Sequence, residues 1–293
     1  MTRAIPLTIL PDPPQPPEPL GLVAGGGQLP VLVARGMRER GHPVRVLGLT
    51  GQYDPALRHL ADRLTEAGIL RLGSWGRLLR RMDVRYAVMV GSVDKARLLH
   101  SWGTIIRNVP DLRVLRLFIK LRSDRRSHVI LDHIARELEH DGVQLIDSTA
   151  HITEHLAHAG VMTDRRPGSA SRADIDFGWP ILREMLRLDI GQSIAVRERD
   201  VIAVEAVEGT DRMIARAGEL CRSGGWTLIK AARAGHDRRS DVPTVGAETV
   251  RRVHAAGGRC IALAAGDVIM LDKAEMIRLA DSLGVAIVGI TPV

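Results

Sequence analysis

Residues 20–49 read LGLVAGGGQLPVLVARGMRERGHPVRVLGL, and this stretch decides the fold class. An apolar strand at Leu20–Ala24 runs into a glycine turn, a helix follows over Val31–Arg40, and a second strand comes at Val44–Leu49. A strand, a glycine turn, a helix and a strand in this order form a βαβ unit, which is typical of a parallel sheet. The sequence therefore predicts an α/β protein.

The glycine turn of this unit contains three candidate substrate-binding residues, Gly25, Gly27 and Gln28. Amides at a helix N-terminus bind phosphate because they are unpaired and lie at the positive end of the helix dipole. The nicotinamide fingerprint fails, since Pro30 stands where its third glycine belongs and no acid follows Leu49 to bind a ribose. The turn predicts a site for a nucleotide or sugar phosphate, or else a turn that only connects two elements.

The remainder of the chain divides into an arm and two α/β halves. Proline fills six of the nine positions in 11–19, so residues 1–19 are expected to form a disordered, extended arm. Residues 20–150 predict a Rossmann-like domain with about five parallel strands. Residues 151–293 also alternate strands and helices but contain hairpins, which predicts a second α/β domain with a mixed sheet.

Three local expectations concern single elements. Ile69–Leu72 is apolar and predicts a short strand. Ser148–Ala159 predicts a helix, which would place three histidines on one face; a metal role for them is far less favoured than a solvated or packed face. Another helix is expected from Arg212, and Asp211 is well placed to cap it.

Composition limits the partners and the compartment. The chain has 293 residues, with 41 basic and 34 acidic side chains and a formal charge of +7, which suits an anionic partner. The 3% aromatic content and the lack of a recognisable motif argue against nucleic acid. Two distant cysteines fit a reducing compartment, and neither a signal peptide nor a membrane-spanning run is found. A cytoplasmic protein is predicted.

Polar clusters stand at strand ends in the second half: Gly191-Gln192, Glu205 to Asp211, and Lys230 to Thr244. Carboxylates in such loops can hold Mg²⁺ or orient a water molecule, and cations can neutralise charge that develops on phosphoryl oxygens. This pattern favours phosphoryl or diphosphate chemistry. A charged surface loop without function, with Asp211 as an ordinary cap, remains the alternative.

Four ordered motifs carry a family resemblance. They are GLVAGGGQLP (21–30), DIGQ (189–192), AVEAVEGTD (203–211), and Lys230 followed by Asp237-x-Arg239-x-Asp241-x-Pro243-Thr244-x-Gly246. In this order and spacing, the chain from residue 20 onward resembles the LpxI family, the UDP-2,3-diacylglucosamine diphosphatases of lipid A biosynthesis. The resemblance is more specific than any of the four motifs alone.

The resemblance implies a function and residue roles. It implies two domains with the substrate between them, and Mg²⁺-dependent hydrolysis of UDP-2,3-diacylglucosamine to UMP and lipid X (2,3-diacylglucosamine 1-phosphate). Asp211 matches the family's essential carboxylate and would bind Mg²⁺ or orient the attacking water. Catalytic roles are also expected for Lys230 and Glu208. The substrate-binding candidates are Gly25, Gly27, Gln28, Gln192, Thr210, Asp237, Arg239, Asp241 and Thr244.

Some positions depart from the family pattern: Ser127-His128, Arg233-Ala234 and His236. They leave open a second hypothesis, a catalytically silent homologue that binds lipid or nucleotide with the same fold. A diacylated substrate also implies transient contact with the cytoplasmic face of the inner membrane, and a homodimer stays open. The basic residues suggested for membrane contact are Arg77, Arg80, Arg81, Arg122, Arg125 and Arg126.

Overall fold

The fold is taken from a computed structural model, which describes residues 10–93, 111, 113–114, 127–233, 237–239 and 242–291. The chain forms two compact units. The first unit runs to Ile152 and includes residues 237–239, and the second unit contains the rest of the described chain from Thr153 onward.

The first unit contains a five-stranded sheet. Its elements are β1 (Leu20–Ala24), α1 (Leu29–Glu39), β2 (Val44–Leu49), α2 (Leu57–Leu60), β3 (Arg63–Ala67), α3 (Leu72–Arg81), β4 (Tyr86–Val90), α4 (Ser127–His140) and β5 (Gln144–Leu145). The strand order is β3-β2-β1-β4-β5, and every neighbouring pair is parallel. The Rossmann-like prediction is confirmed.

The direction of the strand order changes between β1 and β4. In open parallel sheets, ligands bind outside the carboxyl ends of the strands at such a point. The glycine turn after β1 lies there beside the turn after β4, and Gly26 and Ser92 form a short antiparallel bridge. The fold of the first unit thus places the turn at the position where a doubly wound sheet offers a ligand site.

The second unit contains a six-stranded sheet and a short two-stranded one. Its elements are a 3₁₀ turn (Thr153–His155), β6 (Gly160–Val161), α5 (Ser169–Arg187), β7 (Ser193–Arg197), β8 (Asp200–Val204), α6 (Thr210–Leu220), β9 (Thr227–Lys230), β10 (Thr244–Val245), α7 (Ala247–Ala255), β11 (Cys260–Ala264), β12 (Ile269–Met270), α8 (Lys273–Leu283) and β13 (Ala286–Ile290). The large sheet has the order β6-β13-β11-β9-β7-β8, and β10 pairs with β12. Strands β9, β11 and β13 are parallel, whereas β6, β7 and β8 are antiparallel to their neighbours. The mixed sheet is confirmed.

Helix α5 packs closely on this sheet because of a glycine. A Cβ atom at Gly178 would lie 2.6 Å from Ile229 and 2.7 Å from Val196, so only glycine admits the observed approach. The same helix holds the β7–β8 hairpin, since the buried Asp174 carboxylate accepts a hydrogen bond from the amide of Arg199 at 2.9 Å. Neither α5 nor any other described helix has the length and apolar character needed to cross a bilayer.

Two of the local expectations are wrong. Ile69–Leu72 is not a strand, because Leu72 begins α3 and the strand before it is β3. Ser148–Ala159 contains only a 3₁₀ turn at Thr153–His155. The Asp147 carboxylate accepts hydrogen bonds from the amide and hydroxyl of Thr149, both at 2.7 Å, and such local bonds compete with helix formation. The three histidines of this segment therefore do not share a helix face.

One of them, His151, is buried against α1 in the first unit. Its ring is 2% exposed and meets the ring of His42 edge-to-face at 5.1 Å, and Arg40 donates to its carbonyl oxygen. The pKa of His151 is lowered to about 4, mainly by burial and then by the neighbouring His42 and Arg40, whereas Asp147 has a weaker raising effect. The folded protein therefore holds this imidazole in its neutral form.

We predict that acid destabilises the protein through His151. An unfolded histidine binds a proton below a pKa of about 6.5, so the unfolded state takes up protons as the pH falls from there towards 4 while the folded state does not. The free energy of unfolding should fall by roughly 2–3 kcal/mol across this window. Denaturant unfolding of wild type and of His151→Phe, which should flatten this dependence, measures the effect. His140→Phe, whose side chain is 80% exposed in the wild type, is the control and should leave it unchanged.

Candidate functional site

Three strand ends of the second unit bring a charged row together. Ser193 at the start of β7 lies directly opposite Lys230 at the end of β9. On its other side, the Ser193 carbonyl accepts from the amide of Glu205 at 2.9 Å, which continues the β7–β8 ladder by one residue. Because directly opposite residues of antiparallel strands share a face, the three side chains project on the same side of the sheet.

Hydrogen bonds join this row to the start of α6. Ser193 Oγ donates to Glu205 Oε2 at 2.5 Å, and Thr210 Oγ1 donates to Glu205 Oε1 at 3.1 Å. Lys230 Nζ donates to Thr210 Oγ1 at 2.6 Å and lies 4.0 Å from Glu205 Oε2. We call Ser193, Glu205, Thr210 and Lys230 the strand-end network.

The two charges of the strand-end network are buried. Lys230 is 3% exposed and Glu205 is 8% exposed. An isolated buried charge is costly, so a lysine at this depth needs a carboxylate and hydrogen-bond acceptors around it. The network supplies both, and it places the ammonium group at the carboxyl end of a strand.

Helix α6 turns two adjacent candidates to different sides. Gly209, with a φ of +85°, is the N-cap, and Thr210 is the first helical residue, with its hydroxyl in the strand-end network. Consecutive helical residues are rotated by about 100°, so the next side chain points elsewhere. Asp211 is 59% exposed, and one of its oxygens lies 3.6 Å from Nε of Arg252 on α7. Asp211 makes no capping hydrogen bond, and the prediction that its side chain caps the helix is wrong.

Asp211 instead faces an open surface cavity of about 620 Å³ along α6 and α7. Its lining includes Arg252 together with small residues of both helices, such as Ala215, Gly218 and Ala255. The described residues that line this cavity do not include Lys230 or Glu205. An accessible carboxylate and a buried ammonium thus flank the N-terminus of α6 from two sides.

The DIGQ motif serves the backbone of the strand-end network. Gly191 has a φ of +54°, and a Cβ atom there would lie 2.0 Å from the carbonyl oxygen of Glu205. The carbonyl of Gln192 accepts from the amide of Ala231 at 3.0 Å, which ties the motif to the end of β9. The loop before β7 therefore fixes the backbone on both sides of the row.

Glu208 and Thr244 lie in the same unit with other partners. Glu208 accepts from Arg216 at 2.7 Å and from the amide of Ala206 at 3.2 Å, so it closes the loop before α6. The hydroxyl of Thr244, at the start of β10, donates to the carbonyl of Val242 at 3.3 Å. The structure does not bring either side chain into hydrogen-bond contact with the strand-end network within the described part of the chain.

Asp237 and Arg239 belong to the first unit. Arg239 is 5% exposed, and its guanidinium donates to Asp237 at 2.5–2.9 Å and to Asp132 at 3.4 Å. Three carboxylates surround this guanidinium when Glu139 at 3.8 Å is included. Asp241 lies outside the described residues, as do two of the departures, Ala234 and His236. The departure at Arg233 pairs with Asp189 at 4.0 Å.

The glycine-turn candidates differ in what they can offer a phosphate. The amide of Gly25 donates to the carbonyl of Val90 at 2.9 Å, and a Cβ atom at Gly25 would lie 2.6 Å from the Ser92 carbonyl. Gly25 therefore packs the two turns together. Gly27 has a φ of +91° with open space where a side chain would be, and Gln28 is the N-cap of α1 with no capping side-chain bond. Gly27 therefore leaves open space at the N-terminus of α1, where Pro30 contributes no amide donor.

The candidate site residues taken from the sequence do not include Ser193 and Arg252, and Glu205 appears there only as part of the acidic cluster. Alternation gives the face of each strand on which Ser193 and Glu205 lie, but their position beside Lys230 depends on the register of β7 with β8 and β9. The position of Arg252 depends on how α6 and α7 pack, which a local sequence pattern does not encode.

Comparisons with known proteins extend these observations. Residues 19–155 match the LpxI N-terminal domain, and residues 158–288 match the LpxI C-terminal domain. The chain belongs to the LpxI family. A curated relative from Caulobacter vibrioides, the UDP-2,3-diacylglucosamine pyrophosphatase LpxI, is 30% identical over 282 residues, which cover 93% of this chain and 98% of that protein. The family resemblance is thereby confirmed.

A solved structure also shares weak similarity with this LpxI-family chain. It is the biotin carboxylase domain of the Hydrogenobacter thermophilus 2-oxoglutarate carboxylase, at 14% identity and a TM-score of 0.23. The match covers 70% of this chain and 41% of that chain, and at this score it carries no argument.

We predict that Gly191→Ala disables the site of this LpxI-family protein. A new Cβ atom 2.0 Å from the Glu205 carbonyl must displace the backbone that holds the row. The expected loss is about 1–3 kcal/mol in the free energy of unfolding, together with a loss of activity. Denaturant unfolding and a turnover assay measure both. Gly168→Ala, where a Cβ atom would meet nothing within 4 Å, is the matched control and should cost well under half as much.

Proposed function

We propose that this chain hydrolyses the diphosphate bond of UDP-2,3-diacylglucosamine, giving UMP and lipid X in lipid A biosynthesis. The observation that carries the proposal is the LpxI family match over both domains, with a pyrophosphatase relative that aligns along nearly its whole length. The strand-end network adds a physical reason, because it holds a buried cation beside a helix N-terminus, and both favour phosphoryl oxygens.

In this proposal the residues of the second unit divide the work. The Lys230 ammonium neutralises charge on the diphosphate, and the first amides of α6 donate to phosphoryl oxygens. Asp211, which is exposed and at the same helix end, orients the attacking water or holds Mg²⁺. Thr210 keeps Lys230 in place through its hydroxyl. Gln192 fixes the loop through its carbonyl.

The donor set fits a Mg²⁺ ion that arrives with the substrate. The described residues contain no group of three or more His, Cys, Asp or Glu side chains that could hold a metal by themselves. Mg²⁺ commonly binds through one or two carboxylates plus substrate phosphates, and keeps several waters. Asp211 supplies one accessible carboxylate, so it would hold the ion together with the diphosphate. Bound there, Mg²⁺ would neutralise charge on the phosphoryl oxygens.

We predict that Asp211→Asn abolishes hydrolysis without unfolding the protein. The amide keeps the size of the side chain but removes the charge that holds the metal or orients water, so turnover should fall about 10³-fold or more. Because Asp211 is 59% exposed, the melting temperature should barely change. UMP release from UDP-2,3-diacylglucosamine in detergent micelles with Mg²⁺ measures the rate, and EDTA should suppress it in the wild type.

Asp164→Asn is the control for this experiment, since Asp164 is exposed in the same unit and lies outside the proposed site. Wild-type turnover that Asp211→Asn leaves unchanged would refute the role of Asp211. A wild-type protein that binds UDP but releases no UMP would instead favour the catalytically silent homologue.

The substrate's two acyl chains also lead us to propose transient contact with the inner membrane. Helix α3 buries Leu72, Trp75 and Leu79 and exposes Arg77, Arg80 and Arg81, so it presents a basic face. Basic residues near an anionic bilayer contribute about 1 kcal/mol each. The three further arginines suggested for this contact, Arg122, Arg125 and Arg126, lie outside the described residues.

We predict that the protein floats with vesicles that contain anionic phospholipid and not with zwitterionic ones. Binding should weaken as salt rises, because the attraction is screened. Replacing Arg77, Arg80 and Arg81 by Gln should reduce the floated fraction several-fold. Equal flotation with both vesicle types would contradict an electrostatic contact.

A further inference from the structure

We infer that Glu205 is a positioning residue of the proposed diphosphate site, acting through Thr210 and Lys230. The inference rests on the proposed function. Glu205 lies 8% exposed between β8 and α6, and its two carboxylate oxygens each accept a hydrogen bond. It directs the groups that would contact the substrate without contacting the substrate itself.

The hydroxyl of Thr210 links Glu205 to Lys230 through two hydrogen bonds of defined direction. A lysine ammonium only donates, and a threonine hydroxyl has one proton and two lone pairs. Lys230 donates to Thr210 Oγ1 at 2.6 Å, so the threonine proton is free to point at Glu205 Oε1, 3.1 Å away. Glu205 therefore sets the orientation of the hydroxyl, and the hydroxyl sets the position of the ammonium.

The charge of the Glu205 carboxylate also acts directly on the Lys230 ammonium. Lys230 is 3% exposed, and its ammonium lies 4.0 Å from Glu205 Oε2, which is its nearest carboxylate oxygen in the strand-end network. A buried cation without an opposite charge is strongly unfavourable. The carboxylate of Glu205 thus allows Lys230 to keep its charge and its place before substrate arrives.

Backbone contacts and a hydrogen bond from Ser193 hold Glu205 itself in place. The amide of Glu205 donates to the Ser193 carbonyl, and Gly191 packs against the carbonyl of Glu205. Ser193 Oγ fixes the second carboxylate oxygen at 2.5 Å. Catalytic groups perform best when the residues that support them are held by packing and hydrogen bonds, and Glu205 meets this condition on every side.

A double-mutant cycle separates positioning from simple stabilisation. Glu205→Gln keeps the shape and removes the charge, and Thr210→Val keeps the shape and removes the hydroxyl. We expect Glu205→Gln to lower kcat/KM for UDP-2,3-diacylglucosamine about 10- to 100-fold in the wild-type background, since small displacements of catalytic groups have effects of this size. In the Thr210→Val background the loss in kcat/KM should be several-fold smaller, because the path through the hydroxyl is already lost and only the direct attraction between the Glu205 carboxylate and the Lys230 ammonium remains.

Lys230→Met provides a second cycle in case the Thr210→Val protein folds poorly. The same cycles are measured on the affinity for UDP by calorimetry, which does not depend on turnover. Glu184→Gln is the matched control: it removes a carboxylate that is 66% exposed on α5 and should change neither readout. Thermal melts of every variant establish that the folded protein is being compared.

Coupled effects in kcat/KM and in UDP affinity support the inference. Effects that multiply independently in the two backgrounds, or a Glu205→Gln protein that melts earlier but keeps wild-type kinetics, overturn it and leave the proposed function standing. If the wild type shows no turnover, the proposed function falls, and coupling in UDP affinity still decides the role of Glu205.

Discussion

A lysine ammonium buried at a strand end is the constraint around which the second unit is arranged. Lys230 is 3% exposed, so its charge must be paired inside the protein. The pairing uses three separate chain segments: Lys230 ends β9, the Glu205 carboxylate follows β8, and the Thr210 hydroxyl lies at the start of α6. The antiparallel strand β7 lies between β8 and β9 and brings these segments within reach.

This constraint explains why the polar motifs of the second half act through their backbone as much as through their side chains. Gly191 has no side chain because the Glu205 carbonyl occupies that space. Gln192 acts in the described structure through its carbonyl, and Glu208 closes a loop with Arg216. Much of the acidic and glycine-rich sequence in these motifs therefore consists of residues that hold a few charged groups in position.

The fold was largely predictable, since apolar strands followed by glycine turns report a parallel sheet directly. Leu20–Ala24 and Val44–Leu49 have the bounds that hydrophobicity predicts. The errors arose where a polar side chain bonds locally. Asp147 diverts the chain from a helix by accepting from Thr149, and the edge strand β3 was missed because polar residues dominate it. Such bonds depend on conformation rather than on periodicity.

The sequence identified Lys230 and Thr210 as candidate site residues, but it did not show that Thr210 and Asp211 point to different sides of α6. Adjacent residues in a sequence invite a single site, yet the helical rotation between Thr210 and Asp211 directs one to the buried network and the other to the surface. Finding Glu205 requires the β7–β8 register, and finding Arg252 requires the packing of α6 on α7. Both are tertiary facts.

In the proposed function, charge balance limits how a diphosphate would bind beside α6. The Lys230 ammonium is already opposed by Glu205, and Arg252 lies 3.6 Å from Asp211. An anionic diphosphate would therefore bring charge that these two pairs do not offset. A divalent cation that enters with the substrate would restore the balance, with Asp211 released from Arg252 to hold it. Arg252 would keep a carboxylate partner in this exchange, because its Nε lies 3.0 Å from Glu248 Oε1 on the same helix, whereas Asp211 lies at 3.6 Å. The looser of the two ion pairs is therefore the one that the proposed function needs to open.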